Sequence, residues 1–191
     1  MTERGAATGI VGRAREQAVL SGLLDDAIGG NGTLALLSGE AGIGKSTLAA
    51  ALLAEAVARG TVRLAGGCYD LTITPPYGPW LVCLHDYRPE GDLPPVPAEF
   101  NDTAVAGLGG QTTLFDNVAG FLASVASVRP LVVMLEDLHW ADRASLDLLR
   151  FVARRIESTR ILILATYRSD EITRHHPLFQ LLPLLTRESG A

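Results

Sequence analysis

The sequence of 191 residues has few cysteines, no surplus of positive charge and no long hydrophobic run. Cys68 and Cys83 form no C-x-x-C pair and have no histidine at zinc spacing. We therefore predict buried, reduced thiols rather than a disulfide or a zinc site. The 16 basic residues against 21 acidic ones give a net charge of −5, which argues against direct binding of DNA by this segment.

Export and membrane signals are also lacking. The first residues, Met1-Thr-Glu-Arg-Gly, have no apolar signal core, and no apolar run approaches the roughly 20 residues that cross a bilayer. We expect a cytoplasmic protein with no membrane association. The length and the 48% of hydrophobic residues are typical of one globular domain with its own core.

Short apolar runs alternate with segments of helical periodicity along the chain. The runs predict buried strands over 33–38, 62–65, 131–135 and 161–165. The periodic segments predict helices over 14–28, 46–59, 80–87, 111–127, 143–156 and 178–186, with Asp142 as an N-cap. Strands that are apolar on both faces and alternate with helices predict a three-layer αβα sandwich, of the α/β class, with a mainly parallel sheet.

The domain boundaries follow from the same pattern. We predict one domain over residues 10–187, preceded by a disordered N-terminus at 1–9 and followed by a truncated end at 188–191. The stretch 88–110 is rich in proline, glycine and acidic residues, and we expect it to be a mobile surface excursion.

A glycine-rich loop lies between the first predicted strand and the second predicted helix. The segment Gly39-Glu-Ala-Gly-Ile-Gly-Lys-Ser46 matches the phosphate-loop pattern G-x-x-x-x-G-K-[ST], which requires this strand–loop–helix context. Its backbone N–H groups and the helix N-terminus form a positive cradle for phosphate. Lys45 can then reach the β- and γ-phosphates, and Ser46 can bind Mg²⁺. The predicted nucleotide-binding residues here are Gly39, Ala41, Gly42, Ile43, Gly44, Lys45, Ser46 and Thr47.

Two adjacent acids, Glu136 and Asp137, follow the apolar run 131–135. In such a site one carboxylate holds Mg²⁺ through water, while the next polarises the attacking water. By register we assign Glu136, with Ser46, to the metal and Asp137 to catalysis, and the reverse assignment of the two acids stays open.

Four motifs together resemble one known group of proteins. They are Val11-Gly12-Arg13-x-x-Glu16, the phosphate loop, Leu135-Glu-Asp-Leu-His-Trp-Ala-Asp142, and Leu164-Ala-Thr-Tyr-Arg168 followed by Asp170-Glu171. The chain resembles the AAA-type ATPase module of signal-transduction NTPases with numerous domains (STAND), as found in large LuxR-type bacterial transcriptional regulators. The resemblance covers about residues 10–187.

The resemblance implies roles for further residues. Val11, Gly12 and Arg13 would lie against the adenine, and ATP would be preferred to GTP. Arg168, placed just past a strand ending at Ala165, would be a sensor arginine near the γ-phosphate, where a guanidinium can bind phosphate oxygens bidentately. The predicted catalytic set is therefore Glu136, Asp137 and Arg168. Trp140 would pack under the loop, and we expect His139 to make no direct contact with the nucleotide.

The sequence also departs from that group. A fifth strand, a lid over the adenine and a DNA-binding helix-turn-helix would follow in the family, whereas this sequence stops at Ala191. Without the fifth strand, the strand at 33–38 is expected to be an exposed edge. We expect such a chain to be marginally stable alone and a poor ATPase.

These features together predict a switch that responds to ATP and ADP, with Mg²⁺ as cofactor and slow hydrolysis, inside a signal-transduction or transcriptional regulator. Its partners would be other domains of that regulator or further copies of itself. Two alternatives stay open. A phosphotransferase of the P-loop kinase type would need an acceptor pocket and a lid with arginines, and a vestigial interaction domain would not need the intact lysine, serine and acids.

Overall fold

The computed structural model describes residues 13–70, 75–97, 100, 110–189 and 191. The helices are α1 (Ala14–Ile28), α2 (Lys45–Ala58), α3 (Gly78–Asp86), α4 (Gln111–Val128), α5 (Arg143–Ala153) and α6 (Pro177–Ser189). The strands are β1 (Thr33–Gly39), β2 (Val62–Gly67), β3 (Leu131–Glu136) and β4 (Ile161–Arg168), and a 3₁₀ turn spans Leu138–Trp140. No helix within these described ranges is long and apolar enough to cross a membrane.

The four strands form one parallel sheet in the order β1-β4-β3-β2. Gly39 pairs in register with Arg168, and Gly67 pairs with Glu136, so the carboxyl ends of the strands lie along one edge. Helices cover both faces of the sheet. The predicted αβα sandwich is therefore confirmed, and its carboxyl edge is where such sheets carry their ligand sites.

Alternate side chains of the strands enter two separate hydrophobic clusters. The larger cluster contains buried residues of α3, α4, α5 and α6 packed on one face of the sheet. The smaller cluster contains buried residues of α1 and α2 on the other face. In β3 and β4, Leu131, Val133, Leu135, Ile161, Ile163 and Ala165 belong to the larger cluster, and Val132, Met134, Leu162 and Leu164 to the smaller. This division explains why these strands are apolar at every position.

Helix α5 starts as predicted and ends earlier than predicted. The Asp142 side chain accepts a hydrogen bond from Ser145 N at 2.9 Å, which confirms the predicted N-cap. The helix ends at Ala153, because Ile156 lies in a following turn in which Thr159 N and Oγ1 donate to its carbonyl oxygen at 2.8 and 2.7 Å. Ile156 stays buried, so its apolar character was a correct sign of burial and not of helix.

Two further elements extend beyond the apolar runs that predicted them. Strand β4 does not end at Ala165 but continues through Arg168, because residues 166–168 pair with Leu37, Ser38 and Gly39 of β1. Helix α6 continues to Ser189, and Glu188 accepts hydrogen bonds from Arg150 Nε at 2.8 Å and from Nη2 at 2.7 Å. The boundary drawn at residue 187 therefore falls inside a helix that is bound to α5.

Strand β1 lies at one edge of the described sheet, as the sequence predicts. A groove of about 460 Å³ runs between this edge and α1, and Val19, Leu23 and Leu36 are among its lining residues. Val19 is exposed. An unpaired edge beside apolar side chains is a surface that other strands can join.

Part of the predicted excursion at 88–110 can be described. Leu93 is buried in the larger cluster, and the Tyr87 hydroxyl donates to the Pro94 carbonyl oxygen at 2.8 Å. The first part of this stretch, residues 88–97, is therefore anchored to the rest of the domain through Leu93 and Pro94. Residues 98–99 and 101–109, like the predicted disordered N-terminus at 1–9, lie outside the described residues.

Both cysteines are free and buried, as predicted. Burial raises the pKa of the Cys68 thiol to about 12, with a further contribution from the nearby carboxylates of Asp142 and Asp137. Burial also raises the pKa of Cys83 to about 12. Because the thiolate is the reactive form, both groups are chemically inert at neutral pH.

Candidate nucleotide-binding site

The glycine-rich segment forms the loop between β1 and α2 at the carboxyl edge of the sheet. Gly42 and Gly44 have φ values of 72° and 93°, in the left-handed region that favours glycine. Gly44 is the residue directly before α2. The loop therefore enters the helix with the helix's first N–H groups free of intrahelical partners and turned towards the loop side, as phosphate binding requires.

Lys45 is the first residue of α2, and only 7% of it is exposed. Its Nζ donates to the carbonyl oxygens of Gly39 and Glu40, each at 2.8 Å. An ammonium group has three donors, so two are used within the loop and the group is fixed over it. This position places a positive charge where a phosphate group would sit on the loop.

The other predicted loop residues form the rim of the site. Ala41, Gly42, Ile43, Ser46 and Thr47 are exposed to solvent. The Arg13 guanidinium donates to the Ile43 carbonyl oxygen, so the residue that starts the first motif touches the phosphate loop. Its predicted contact with adenine stays a prediction, and Val11 and Gly12 lie outside the described residues.

The two acids leave β3 with different backbone conformations. Glu136 is the last residue of the strand, and Asp137 has a left-handed conformation with φ 57° and ψ 47°. The Asp137 N–H donates to Thr166 Oγ1 of the neighbouring strand β4 at 3.0 Å. Aspartate tolerates this conformation better than most residues. Which of the two carboxylates holds the metal stays open.

Arg168 is the last residue of β4 and lies beside Gly39 in the sheet. Its backbone is therefore next to the first residue of the phosphate loop. Its guanidinium forms an ion pair with Glu171, which raises the pKa of Arg168, and its Cζ lies 5.3 Å from the centre of the Trp140 ring. The backbone of Arg168 thus lies beside the phosphate loop, and its charge is held by a carboxylate three residues later; its role as a sensor stays a prediction.

His139 is a site residue whose importance the sequence did not reveal. Its side chain is 0% exposed, and its Nδ1 accepts a hydrogen bond from Arg168 N at 3.4 Å and lies 3.9 Å from Asp137 Oδ1. Its Nε2 lies 3.4 Å from Glu171 Oε2 without a proper hydrogen bond to any described residue. The only sequence signal was a histidine two positions after the pair of acids, which does not distinguish an exposed turn from a buried one.

The charge state of His139 follows from its surroundings. Burial lowers its pKa, and although the Glu171 and Asp137 carboxylates act to raise it, Arg168 and Lys45 lower it further. A buried neutral imidazole whose Nδ1 accepts a hydrogen bond carries its proton on Nε2, which is the nitrogen that faces Glu171. Lys45 of the phosphate loop, Asp137 after β3, Arg168 at the end of β4 and Glu171 after β4 all act on this one ring.

The oxygen ligands at the end of β3 and the start of α2 bear on whether the site can hold Mg²⁺ bound to a nucleotide. Among the described residues there is no group of three or more histidine, cysteine or acidic side chains that could hold a metal alone. Mg²⁺ in nucleotide sites takes one or two protein ligands and the remaining ligands from phosphates and water. Ser46 at the exposed start of α2 and a carboxylate at the end of β3 are oxygen ligands of that kind. The residues therefore fit a phosphate-bound Mg²⁺.

The parallel sheet, the phosphate loop and the acids at the same sheet edge define a P-loop NTPase module. Residues 9–164 match the protein family described as AAA ATPase domain. Because this match covers most of the chain, the chain belongs to the AAA ATPase domain family, a family of nucleotide-binding domains.

Further comparisons gave only distant likenesses. No curated protein matches the chain. Similar solved structures include Drosophila ORC bound to DNA, at 14% identity over 92% of this chain and 86% of that chain, with a TM-score of 0.49. Drosophila ORC bound to GC-rich DNA and Cdc6 is 15% identical over 93% of this chain and 56% of that chain, with a TM-score of 0.47. At this level of identity and overlap, the likenesses carry nothing about the partners of this chain.

Proposed function

We propose that this chain binds Mg·ATP at the phosphate loop, hydrolyses it slowly and acts as a nucleotide-dependent switch within a larger signal-transduction or transcriptional regulator. The observation that carries the proposal is the position of Lys45, whose buried ammonium lies over the loop beside Gly39, with Arg168 as the strand neighbour of that glycine. A lysine that served only to stabilise the fold would not need to be bound by loop carbonyl oxygens at the carboxyl edge of the sheet, where Glu136 and Asp137 also lie.

Each residue has a distinct task in this proposal. Lys45 and the N–H groups of the loop bind the phosphates, and Ser46 and Glu136 orient the metal shell. Mg²⁺, when bound, neutralises negative charge on the phosphate oxygens. Asp137 orients and polarises the attacking water, with its turn fixed by the bond to Thr166. Arg168 contributes positive charge near the γ-phosphate once its ion pair with Glu171 opens.

The proposal of a switch rests on a chain of contacts that leads away from the acids. His176 Nε2 donates to the His139 carbonyl oxygen at 2.9 Å, and Leu178 N in the first turn of α6 donates to His176 Nδ1 at 3.1 Å. The turn that carries Asp137 and His139 is therefore connected to the start of α6. A change in the position of this turn with nucleotide state would reach α6 and any domain or further copy that packs against it.

Slow hydrolysis follows from the exposure of the site. The loop rim is open to solvent, and the guanidinium of Arg168 is already paired. Catalysis of phosphoryl transfer depends on excluded water and on charges that are free to act on the phosphate. We expect binding of ATP and ADP to be the main event, without direct contact of this segment with DNA.

The experiment is thermal unfolding with and without Mg·ATP for the wild-type chain, Lys45→Ala and Arg59→Ala. A ligand at a hundred times its dissociation constant adds about 2.7 kcal/mol to the native state, a shift on the order of 2–4 °C per kcal/mol for a domain of this size. The wild type and Arg59→Ala, which loses a positive charge at the other end of α2, should shift. Lys45→Ala should not.

A second readout uses the fact that Lys45 is the only lysine in the sequence. Acylation of its ε-amine, followed by mass spectrometry, should slow in the presence of Mg·ATP. A folded wild-type chain that shows neither a thermal shift nor protection of Lys45 would overturn the proposed function.

A further inference from the structure

We infer that Glu171 is a specificity-determining residue of the nucleotide site: its carboxylate competes with the γ-phosphate for the guanidinium of Arg168 and so weakens ATP binding relative to ADP binding. This inference rests on the proposed function, because it concerns the same site. Glu171 was noted in the sequence only as part of a motif, and it lies outside the set of residues that hold phosphate or metal.

The first step is the position of Arg168 relative to the phosphate loop. Arg168 is the register partner of Gly39, and the following residue, Ser169, donates its N–H to the Gly39 carbonyl oxygen at 3.4 Å. The same carbonyl oxygen accepts a hydrogen bond from Lys45 Nζ at 2.8 Å. The backbone that carries the guanidinium and the ammonium that would bind phosphate therefore meet at one oxygen atom.

The second step is that the two oxygens of the Glu171 carboxylate face two different side chains, those of Arg168 and His139. Its Oε1 forms the ion pair with Arg168 Nη1, and its Oε2 lies 3.4 Å from His139 Nε2. A carboxylate and a terminal phosphate each offer negatively charged oxygens that can accept hydrogen bonds from the same guanidinium. Glu171 thus occupies Nη1, a donor of Arg168 that a γ-phosphate would use.

The third step is the ease with which the pair can open. The side chains of Arg168 and Glu171 are 31% and 33% exposed, so solvent can replace either partner, and ion pairs of this kind hold only weakly. The Trp140 ring, 5.3 Å from Cζ, and the bond from Arg168 N to His139 also hold Arg168, and neither contact involves the carboxylate. Arg168 therefore remains at the site when it exchanges one anionic partner for another.

The consequence differs between the two nucleotides. ATP brings a γ-phosphate that must displace the Glu171 carboxylate from Arg168 before it is bound by the guanidinium. ADP has no such group and leaves the ion pair intact. The carboxylate therefore acts against ATP alone, and its removal should increase the preference of the site for ATP.

The test is the affinity of Glu171→Gln for ADP and for a non-hydrolysable ATP analogue, both with Mg²⁺, by calorimetry. Glutamine keeps the shape and an oxygen that can face His139 Nε2, and it removes the charge. The dissociation constant of the ATP analogue should fall by about two- to fivefold, which is the range expected from an exposed ion pair, and that of ADP should stay the same. Asp170→Asn is the matched control, because it removes the same charge from the adjacent exposed residue, which acts on Arg168 through its charge without the ion pair that Glu171 forms. It should change the dissociation constant of the ATP analogue less than Glu171→Gln does.

The same substitution in the Arg168→Gln background completes a double-mutant cycle. There Glu171→Gln should have no effect on either nucleotide, and Arg168→Gln alone should lose affinity for the ATP analogue and not for ADP. Equal changes for the two nucleotides, weaker binding of the ATP analogue by Glu171→Gln, or an undiminished effect without Arg168 would overturn the inference while the proposed function stands. A wild-type chain that binds neither nucleotide would overturn both.

Discussion

The two ends of the parallel sheet have different structures. At the carboxyl end, chemically demanding residues are held in place: Lys45 is buried over its loop, Asp137 has a left-handed backbone and His139 is enclosed among charges. At the amino end, hydrogen bonds to backbone carbonyl oxygens join the segments that lead into the strands. Arg160 Nε donates to the Ala126 carbonyl oxygen at 2.9 Å, and Leu131 N donates to the Arg160 carbonyl oxygen at 2.8 Å.

The difference indicates how this domain separates stability from function. Substitutions at the amino end should change the free energy of unfolding without a direct effect on nucleotide binding. Substitutions at the carboxyl end should alter the nucleotide site as well as the free energy of unfolding. Three predictions test this division, and they are ordered by the size of the expected effect.

The largest effect is expected at the amino end, for Gly32→Ala. A Cβ there would lie 2.2 Å from the Ile156 carbonyl oxygen and 2.9 Å from those of Ile161 and Thr159. These are backbone atoms that cannot move aside cheaply, so we expect a loss of about 3 kcal/mol or more in the free energy of unfolding, measured with urea.

The matched control for Gly32→Ala is Gly22→Ala, in the middle of α1, where a Cβ would have no atom within 4 Å. Because alanine is the better helix former, it should stabilise the chain by about 0.5–1 kcal/mol. Nucleotide affinity per folded molecule should be unchanged in both variants. A Gly32→Ala chain with the wild-type urea midpoint would contradict the assigned role of the amino end.

An intermediate effect is expected for the replacement of two buried threonines, Thr166 near the carboxyl end of the sheet and Thr61 at its amino end. Thr166→Val removes the acceptor of the Asp137 N–H, so it should cost about 1–3 kcal/mol and reduce any ATP hydrolysis by loosening the Asp137 turn. The Oγ1 of Thr61, just before β2, has no hydrogen-bond partner among the described residues. Thr61→Val should therefore be neutral or stabilising. Chemical unfolding measures the free energy of unfolding of the two variants, and a phosphate-release assay measures their ATP hydrolysis. Equal losses of stability and of hydrolysis in Thr166→Val and Thr61→Val would remove the distinction between the two ends of the sheet.

The smallest effect is the pH dependence contributed by His139. Burial lowers its pKa below the ordinary value of 6.5, so the unfolded chain takes up a proton before the folded chain does. The stability that the neutral ring contributes is complete above pH 6.5 and is lost as the pH falls from there towards the folded-state pKa. The slope from one proton is at most about 1.4 kcal/mol per pH unit.

The measurement for His139 is the urea midpoint between pH 8 and pH 5 in the wild type and in His139→Gln. The carboxylates of Glu171 and Asp137 and the cations of Arg168 and Lys45 face the ring in the wild type and remain in the variant, so the difference between the two curves isolates the imidazole. We expect the wild type to lose more stability in this range. Parallel curves would show that the ring does not titrate with folding.

Local patterns were sufficient to predict much of the fold. The bounds of α1 were correct because an apolar period ends at two glycines. The interleaved apolar runs of β3 and β4 predicted a doubly covered parallel sheet because both faces of these strands are buried. Errors arose where a contact distant in sequence decided the outcome. Strand β4 continues past Ala165 because β1 pairs with it, and the residues Thr-Tyr-Arg at 166–168 contain no sequence pattern that predicts this pairing.

The site was predictable in its motifs and not in its contacts. The phosphate-loop pattern and the two acids identify residues that the sheet does bring to one edge, because parallel strands end together. His139 contacts Arg168 and Glu171, which lie 29 or more positions later in the sequence. The ion pair between Glu171 and Arg168 depends on the turn that follows β4. Single-sequence patterns do not contain such distances.

The position of the Arg168 guanidinium, with Cζ 5.3 Å from the centre of the Trp140 ring, also makes the site visible to fluorescence. The sequence has two tryptophans, and the other, Trp80, is buried with its Nε1 donating to the Ser145 carbonyl oxygen at 3.1 Å. Emission from an indole depends on nearby charge, so Trp140 would report a displacement of the guanidinium while Trp80 supplied a constant background. The domain therefore carries its own optical probe of the arginine, without a label or a substitution in the nucleotide site.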